Sequence, residues 1–133
     1  MNNDIKIMAK TIYGAARGEY NHCGRVALEA IGHVIMNRSR ASKEPISAVC
    51  LKPLQFSCWN EGDPNRKIVE NIPSADPIYR ICVSIANQLV RNELPDITNG
   101  ANHYYSTSLS KPPYWARGQT STTQIGRHLF FKL

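Results

Sequence analysis

The sequence predicts a small, mainly helical domain that carries a long aromatic loop, and three observations lead to this prediction. The chain has 133 residues, a length that fits one domain with its own core. Apolar residues recur at helical spacing through the first two thirds of the chain. Residues 96–123 instead combine turn-forming dipeptides with aromatic side chains, which is typical of a functional loop. We therefore expect a single domain over residues 1–133.

Two helices are predicted in the first part of the chain. Asp4 can cap the first helix, and Gly18 is expected to end or loosen it. The second helix begins near Gly24 and runs to Arg38 or Arg40. Each has an apolar stripe on one face, formed by Ile5, Met8, Ile12 and Ala16 in the first and by Ala27, Ala30, Ile31, Val34 and Ile35 in the second.

Shorter elements follow. A short helix is predicted over residues 46–51, between two prolines, and one helical turn over residues 67–70. Asp76-Pro77 begins the clearest helix, because proline is favoured in a first turn and aspartate caps it. The last segment, residues 125–133, fits either a strand or a short packed helix.

The net charge of +6 and the pI near 9.3 favour an anionic partner, such as nucleic acid, acidic lipid or an acidic wall polymer. The cations are scattered along the chain, which favours a solvated face over a phosphate-binding stripe. No apolar run approaches the roughly 20 residues that span a bilayer, and charges within residues 1–16 interrupt any secretory signal. We therefore expect synthesis in the cytoplasm, no nucleic acid partner and no stable membrane insertion.

The four cysteines are expected to be reduced thiols in that compartment. Helical spacing places Cys82 in the core, and Cys58 is expected to be a packed thiol as well. No two cysteines have the close pairing of zinc ligands, so no metal site is predicted.

Six motifs stand out between residues 5 and 131. They are IYGAARGE (12–19), VALEAIGHVIMNR (26–38), VCLKPLQFSCWN (49–60), DITNGANHY (96–104), PYWARG (113–118) and IGRHLFF (125–131). In this order they resemble the Y/W-G-E-A-R-G-E, AVxxVIxNR, QFSCWN, DPTGGATHY, PPWARG and IGxHxFY motifs of the SleB/CwlJ-type cell wall hydrolases. The QFSCWN form is similar to that of phage and gene-transfer-agent members.

The resemblance implies a lysozyme-like α+β fold that is mainly helical. It also implies cleavage of the peptidoglycan glycan strand between N-acetylmuramic acid and N-acetylglucosamine. In this chemistry a glutamic acid protonates the glycosidic oxygen while positive charge develops on the sugar. A muramidase then uses water as the nucleophile, whereas a lytic transglycosylase uses the 6-hydroxyl of the sugar and releases a 1,6-anhydro product.

One position departs from the family signature. The glutamate that serves as the family's catalytic acid falls on Ala15, and Glu19 matches the second glutamate of the signature. Three explanations stay open: an inactivated Glu-to-Ala variant, a naturally inactive wall binder, or Glu19 acting as the acid. The first is favoured because the other motifs are intact. For Glu19, a supporting carboxylate paired with Arg17 or Arg38 is favoured over direct proton donation.

The substrate-binding set comes from the motifs and the aromatic loop. Gln55 and Ser57 are expected to bind an acetamido group or hold the attacking water, and Trp115 and one tyrosine to be exposed to the ligand. Tyr105 stands where many family members have histidine. The full predicted set is Gln55, Phe56, Ser57, His103, Tyr104, Tyr105 and Trp115.

A rival interpretation is a wall peptidase in which Cys58 is the nucleophile and His103 its base, because Ser57-Cys58-Trp59 resembles a short papain-like motif. A basic wall-binding or nucleic-acid-binding module without catalysis is the non-enzyme alternative. The preferred interpretation is a monomeric phage-type endolysin that needs no metal or organic cofactor. It would reach the wall after a holin permeabilises the membrane.

Overall fold

The computed structural model describes residues 2–133, and helices make up most of its ordered structure. The helices are α1 (Asn3–Cys23), α2 (Arg25–Ser42), α3 (Ile46–Leu51), α4 (Pro64–Glu70) and α5 (Pro77–Val90), with 3₁₀ turns at Ser57–Trp59 and Tyr114–Ala116. The strands are β1 (His103–Ser106), β2 (Thr123–Ile125) and β3 (His128–Phe131). They form one antiparallel sheet in the order β1-β3-β2. The prediction of a small, mainly helical domain is confirmed.

The first helix differs from its prediction at both ends. Its N-cap is Asn2, whose side chain accepts a hydrogen bond from the Ile5 N–H. Asp4 instead accepts the Ser47 N–H at 2.9 Å and ties α3 to α1. Gly18 does not end α1, which continues to Cys23. A glycine inside a helix costs only about 1 kcal/mol, and packing of the buried residues on both sides of it outweighs that cost.

The other predicted helices are present. The clearest one begins as expected, because the Asp76 carboxylate accepts the backbone N–H groups of Ile78 and Tyr79, each at 3.0 Å. The predicted turn at residues 67–70 is the end of α4, whose N-cap is Asp63. The segment predicted as a continuous loop contains β1, and the end of the chain forms strands rather than a helix.

The core lies where α1, α2 and α5 pack against one another, and Phe130 of β3 belongs to it. Its largest fully buried side chains include Met8, Ile12, Leu28, Ile31, Ile35, Ile85 and Phe130. Cys82 is fully buried, as predicted, and all four cysteines are free thiols. Within residues 2–133, no helix combines the length and the apolar character needed to cross a membrane.

Candidate active site

A cavity of about 250 Å³ opens between α1, the Ser57–Trp59 turn, α4 and the sheet, and Ala15 lies in its wall. Three other predicted site residues, Phe56, Ser57 and Tyr104, line the same cavity. The remaining lining residues are Gly14, Cys58, Asn65, Ser106 and His128. The structure therefore brings four members of the predicted set together around the position where the family resemblance places a proton donor.

Gly14 is what allows the Ser57–Trp59 turn to approach α1 so closely. A Cβ atom at this position would lie 2.7 Å from the Cys58 Cβ atom and 2.8 Å from both Cys58 Sγ and a Val69 methyl carbon. Such distances are well inside van der Waals contact, so any side chain larger than hydrogen would push the turn away. The glycine thus sets the depth of the cavity beside Ala15.

The strand β1 divides the predicted aromatic residues between two faces, because alternate side chains of a strand point in opposite directions. Tyr104 and Ser106 face the Ala15 cavity. The Tyr104 ring packs against Phe56, His128 and Phe130, with ring centroids 5.1–6.4 Å apart. Burial raises the pKa of Tyr104 to about 12, so this phenol remains protonated and can donate a hydrogen bond to a ligand.

His128 is a cavity residue that the sequence analysis did not select. It pairs with Ser106 across β1 and β3 and is 6% exposed. Burial lowers its pKa, and the nearby Glu19 carboxylate opposes that effect without cancelling it. The imidazole is therefore neutral near pH 7. Its place in the IGRHLFF motif was the sequence signal that could have identified it.

Glu19 does not line the Ala15 cavity, and its side chain binds Arg127 instead. Its carboxylate is 5% exposed and accepts hydrogen bonds from the Arg127 side chain at 2.6 Å and from the Arg127 backbone N–H at 3.3 Å. Burial alone would raise its pKa, but these hydrogen bonds and the charge of Arg127 outweigh burial and lower it. The predicted pairing with Arg17 or Arg38 is wrong. Glu19 is ionised at neutral pH and holds the turn between β2 and β3 against α1.

Gln55 and His103 line a second cavity, of about 350 Å³, rather than the one that contains Ala15. The two cavities adjoin at the Phe56 ring, which lines the Ala15 cavity and whose centre lies 5.1 Å from the guanidinium carbon of Arg38. The second cavity also contains Arg38, whose side chain donates hydrogen bonds to the Asn102 carbonyl at 2.6 Å and to Gln55 Oε1 at 3.4 Å. The predicted site is thus divided into two adjoining compartments.

Tyr105 and Trp115 lie on the other face of the sheet. The Tyr105 ring stacks on Phe131 at 5.6 Å, and Trp115 packs edge-on against both rings. Trp115 also packs against His103 in a tilted arrangement, with ring centroids 4.9 Å apart. Trp115 is half-buried in this cluster, whereas its neighbour Tyr114 is 82% exposed. The structure therefore places the predicted stacking tryptophan among packed side chains, away from Ala15.

The geometry argues against a cysteine peptidase. Cys58 is 2% exposed and packs under Gly14, and burial raises the pKa of its thiol to about 11. A thiol of that pKa carries almost no thiolate at neutral pH and is a poor nucleophile. His103 lines the neighbouring cavity, so the thiol and imidazole do not share a pocket.

The lining of the Ala15 cavity defines what it can do. It offers hydroxyl groups from Ser57 and Ser106, an amide from Asn65, a phenol from Tyr104 and a neutral imidazole from His128. These groups suit the hydroxyl and acetamido groups of a sugar. No aspartate or glutamate from residues 2–133 lines the cavity.

Comparison with known proteins gives a consistent family and fold. The sequence model of a family described as Cell Wall Hydrolase matches residues 24–131. Spore cortex-lytic enzymes are 31% identical in Halalkalibacterium halodurans and 30% identical in Bacillus subtilis, each over 97% of this chain. The chain spans about a third of the length of these relatives, 34% and 37%.

Two solved structures have the same fold. The catalytic domain of the Bacillus cereus SleB protein superposes with a TM-score of 0.70 at 24% identity, covering 98% of this chain and 90% of that domain. The catalytic domain of the germination-specific lytic transglycosylase SleB from Bacillus anthracis gives 0.71 at 23% identity, covering 99% and 96%. The predicted lysozyme-like fold is confirmed by this likeness.

Proposed function

This chain belongs to the cell wall hydrolase family, and on that premise we propose that it binds the glycan strands of bacterial peptidoglycan in the Ala15 cavity. Its fold is that of the SleB catalytic domains, and alanine at position 15 leaves it without the proton donor that a muramidase or lytic transglycosylase needs. The chain therefore binds glycan and does not cleave it.

The observation that carries this proposal is the lining of the cavity. Hydroxyl, amide, phenol and imidazole groups converge on it, and Ala15 stands where the signature has the acid, yet no carboxylic acid from the described residues 2–133 lines it. Breaking a glycosidic bond needs protonation of the departing oxygen, by a residue that remains protonated at neutral pH. Glu19 does not meet this need, because its carboxylate is ionised and hydrogen-bonded to Arg127. The neutral His128 accepts or donates hydrogen bonds but is a weak acid at that pH.

The biological setting is a separate part of the proposal. The motifs favour an inactivated variant of a phage-type endolysin, which is monomeric and reaches the wall with the help of a holin. The relatives described above are spore cortex-lytic enzymes, which favours binding to the spore cortex as the other setting. Both settings use the same polymer as substrate.

A sedimentation assay with purified peptidoglycan tests the binding step. Ser57→Phe places a large side chain at the rim of the cavity, and Ser110→Phe makes the same change in an exposed loop. We expect the parent chain and Ser110→Phe to sediment with the polymer and Ser57→Phe to remain largely in solution.

Chromatography of the supernatants tests the absence of cleavage. The parent chain is expected to release no muropeptides from the polymer. Release of fragments by the parent chain would contradict the assignment of Ala15, and equal sedimentation of the two phenylalanine variants would contradict binding in this cavity.

A further inference from the structure

One of the cations that line the second cavity, Arg38, has no anionic partner within the described residues 2–133. Arg38 lies at the end of α2 and lines this cavity together with Gln55 and His103. Its guanidinium is in ion-pair distance of no carboxylate among residues 2–133. Its two hydrogen bonds go to neutral oxygens, and its Nη2 atom donates to no described residue. A half-buried guanidinium without a counterion is unusual, because removing a charge from water is costly unless it is paired.

Other charged groups of this cavity compensate each other. Lys52 and Glu44 form an ion pair at 3.4 Å at its edge. The net charge of the cavity is therefore the charge of Arg38. Burial lowers the pKa of this guanidinium from its ordinary value, yet an arginine remains charged at any physiological pH. An anion that enters this space gains a charge-assisted hydrogen bond to a donor that is already oriented by the Asn102 carbonyl.

Arg38 is also coupled in space to the Ala15 cavity. Its guanidinium carbon lies 5.1 Å from the centre of the Phe56 ring, and Phe56 lines the Ala15 cavity. The two cavities are therefore neighbours that meet at the Phe56 ring.

We propose that the Arg38 cavity is a subsite for a carboxylate of the peptidoglycan strand. This inference rests on the proposed function, since it adds a recognition element to the same ligand. Two parts of the polymer supply such a carboxylate: the lactyl ether of muramic acid, when it carries no peptide, and the stem peptide. The subsite distinguishes a muramic acid-containing strand from an uncharged polymer of N-acetylglucosamine, which has no carboxylate at all.

The test is a calorimetric titration of the chain with three probes of equal sugar length. They are a tetrasaccharide of alternating N-acetylglucosamine and N-acetylmuramic acid without peptide, the same tetrasaccharide with stem peptides, and a tetramer of N-acetylglucosamine. We expect at least one carboxylate-bearing probe to bind about tenfold tighter than the neutral tetramer. A tenfold gain in affinity is about what one hydrogen bond between charged groups contributes. Binding of the peptide-free probe measures recognition of the lactyl carboxylate, and binding of the peptide-bearing probe measures recognition of the stem-peptide carboxylates.

Two arginine variants test whether the preference for a carboxylate-bearing probe depends on Arg38. Arg38→Gln is expected to remove the tenfold preference and leave the affinity for the neutral tetramer unchanged. Arg80→Gln removes the same charge from an exposed position on α5 and is expected to keep the preference. Because Arg38→Gln also removes the hydrogen bond to Asn102, a second comparison uses the parent chain alone. Here the lactyl and stem carboxyl groups of the probes are converted to amides, and the preference is expected to disappear.

The outcomes separate the two proposals. Equal affinity of the parent chain for all three probes would overturn the carboxylate subsite and leave glycan binding intact. The same holds if amidation has no effect, or if Arg38→Gln weakens all three probes equally. No binding of any probe would overturn the proposed function itself, and the subsite with it.

Discussion

Ala15→Glu is the substitution from which we expect the largest change in activity. Position 15 is half-buried, and its surroundings disfavour negative charge. Burial raises the pKa of Tyr104 from 10.0 to about 12 and that of Cys58 from 9.0 to about 11. The positive charge of Arg38 opposes this effect at Tyr104, and that of Arg17 opposes it at Cys58, but neither cancels it. His128 is neutral and adds no further positive charge. A carboxyl group placed here is therefore expected to have a raised pKa, to about 6, as for a catalytic glutamic acid in an apolar pocket.

The size of the effect follows from that pKa. General-acid catalysis contributes about 10²–10⁴ in rate, which corresponds to about 3–5 kcal/mol of activation free energy. With a pKa of about 6, roughly one tenth of the carboxyl groups are protonated at pH 7, so the gain there falls to about 10–10³. Cleavage by Ala15→Glu is thus expected to be fastest near pH 5–6 and to decline above it.

The assay follows release of soluble fragments from purified peptidoglycan, with mass analysis of the products. A 1,6-anhydro product identifies a lytic transglycosylase, and a reducing end identifies a muramidase. Ala15→Gln is the matched control, because it has nearly the same shape and no proton to give. The reasoning is refuted if Ala15→Glu folds, binds the polymer and cleaves nothing, or if the parent chain cleaves and loses that activity on Glu19→Gln.

Three further predictions concern stability, measured by urea denaturation. Glu19→Gln should lower the free energy of unfolding by about 1.5–3 kcal/mol at pH 7, since it removes a charged hydrogen bond to Arg127. The native pKa of this carboxyl is below 4.5, so the difference should be complete above pH 4.5 and disappear as the pH falls through the native value. Trp115→Ala should lower the free energy of unfolding by about 1–3 kcal/mol and leave glycan binding unchanged, whereas Tyr114→Ala should lower it by less than about 0.5 kcal/mol. If Trp115→Ala weakens binding without lowering stability, Trp115 is a stacking platform for the ligand after all. Gly14→Ala should lower the free energy of unfolding by about 1–3 kcal/mol, because the added methyl group overpacks the contact with the Ser57–Trp59 turn. An unchanged stability would show that this turn can move away without cost.

The helices could be predicted from the sequence wherever local chemistry decides them. Asp76-Pro77 combines a capping carboxylate with a residue that fits a first turn, and α5 begins there. Gly18 misled the prediction because its intrinsic cost is small compared with the packing of a long helix. The strand β1 was missed for a similar reason, since four half-buried residues form a strand only when β3 pairs with them.

The sequence indicated which residues belong to the candidate site, but it did not show how these residues are arranged in space. The motifs identified Ala15, Phe56, Ser57 and Tyr104, which share one cavity. Glu19 pairs with Arg127, which lies 108 positions away in the chain. This pairing depends on how the sheet packs on α1, and no local sequence pattern predicts that packing.

The Ala15 cavity has a property that glycan binding alone does not require. Hydroxyl and acetamido groups are neutral, so a wall that disfavours negative charge gives no advantage in binding them. The same wall does favour one kind of group, a carboxyl that must remain protonated near neutral pH. Burial of Tyr104 and the neutral state of His128 produce that environment around position 15. These features therefore fit a cavity shaped around a protonated acid, which is the group that Ala15→Glu would supply.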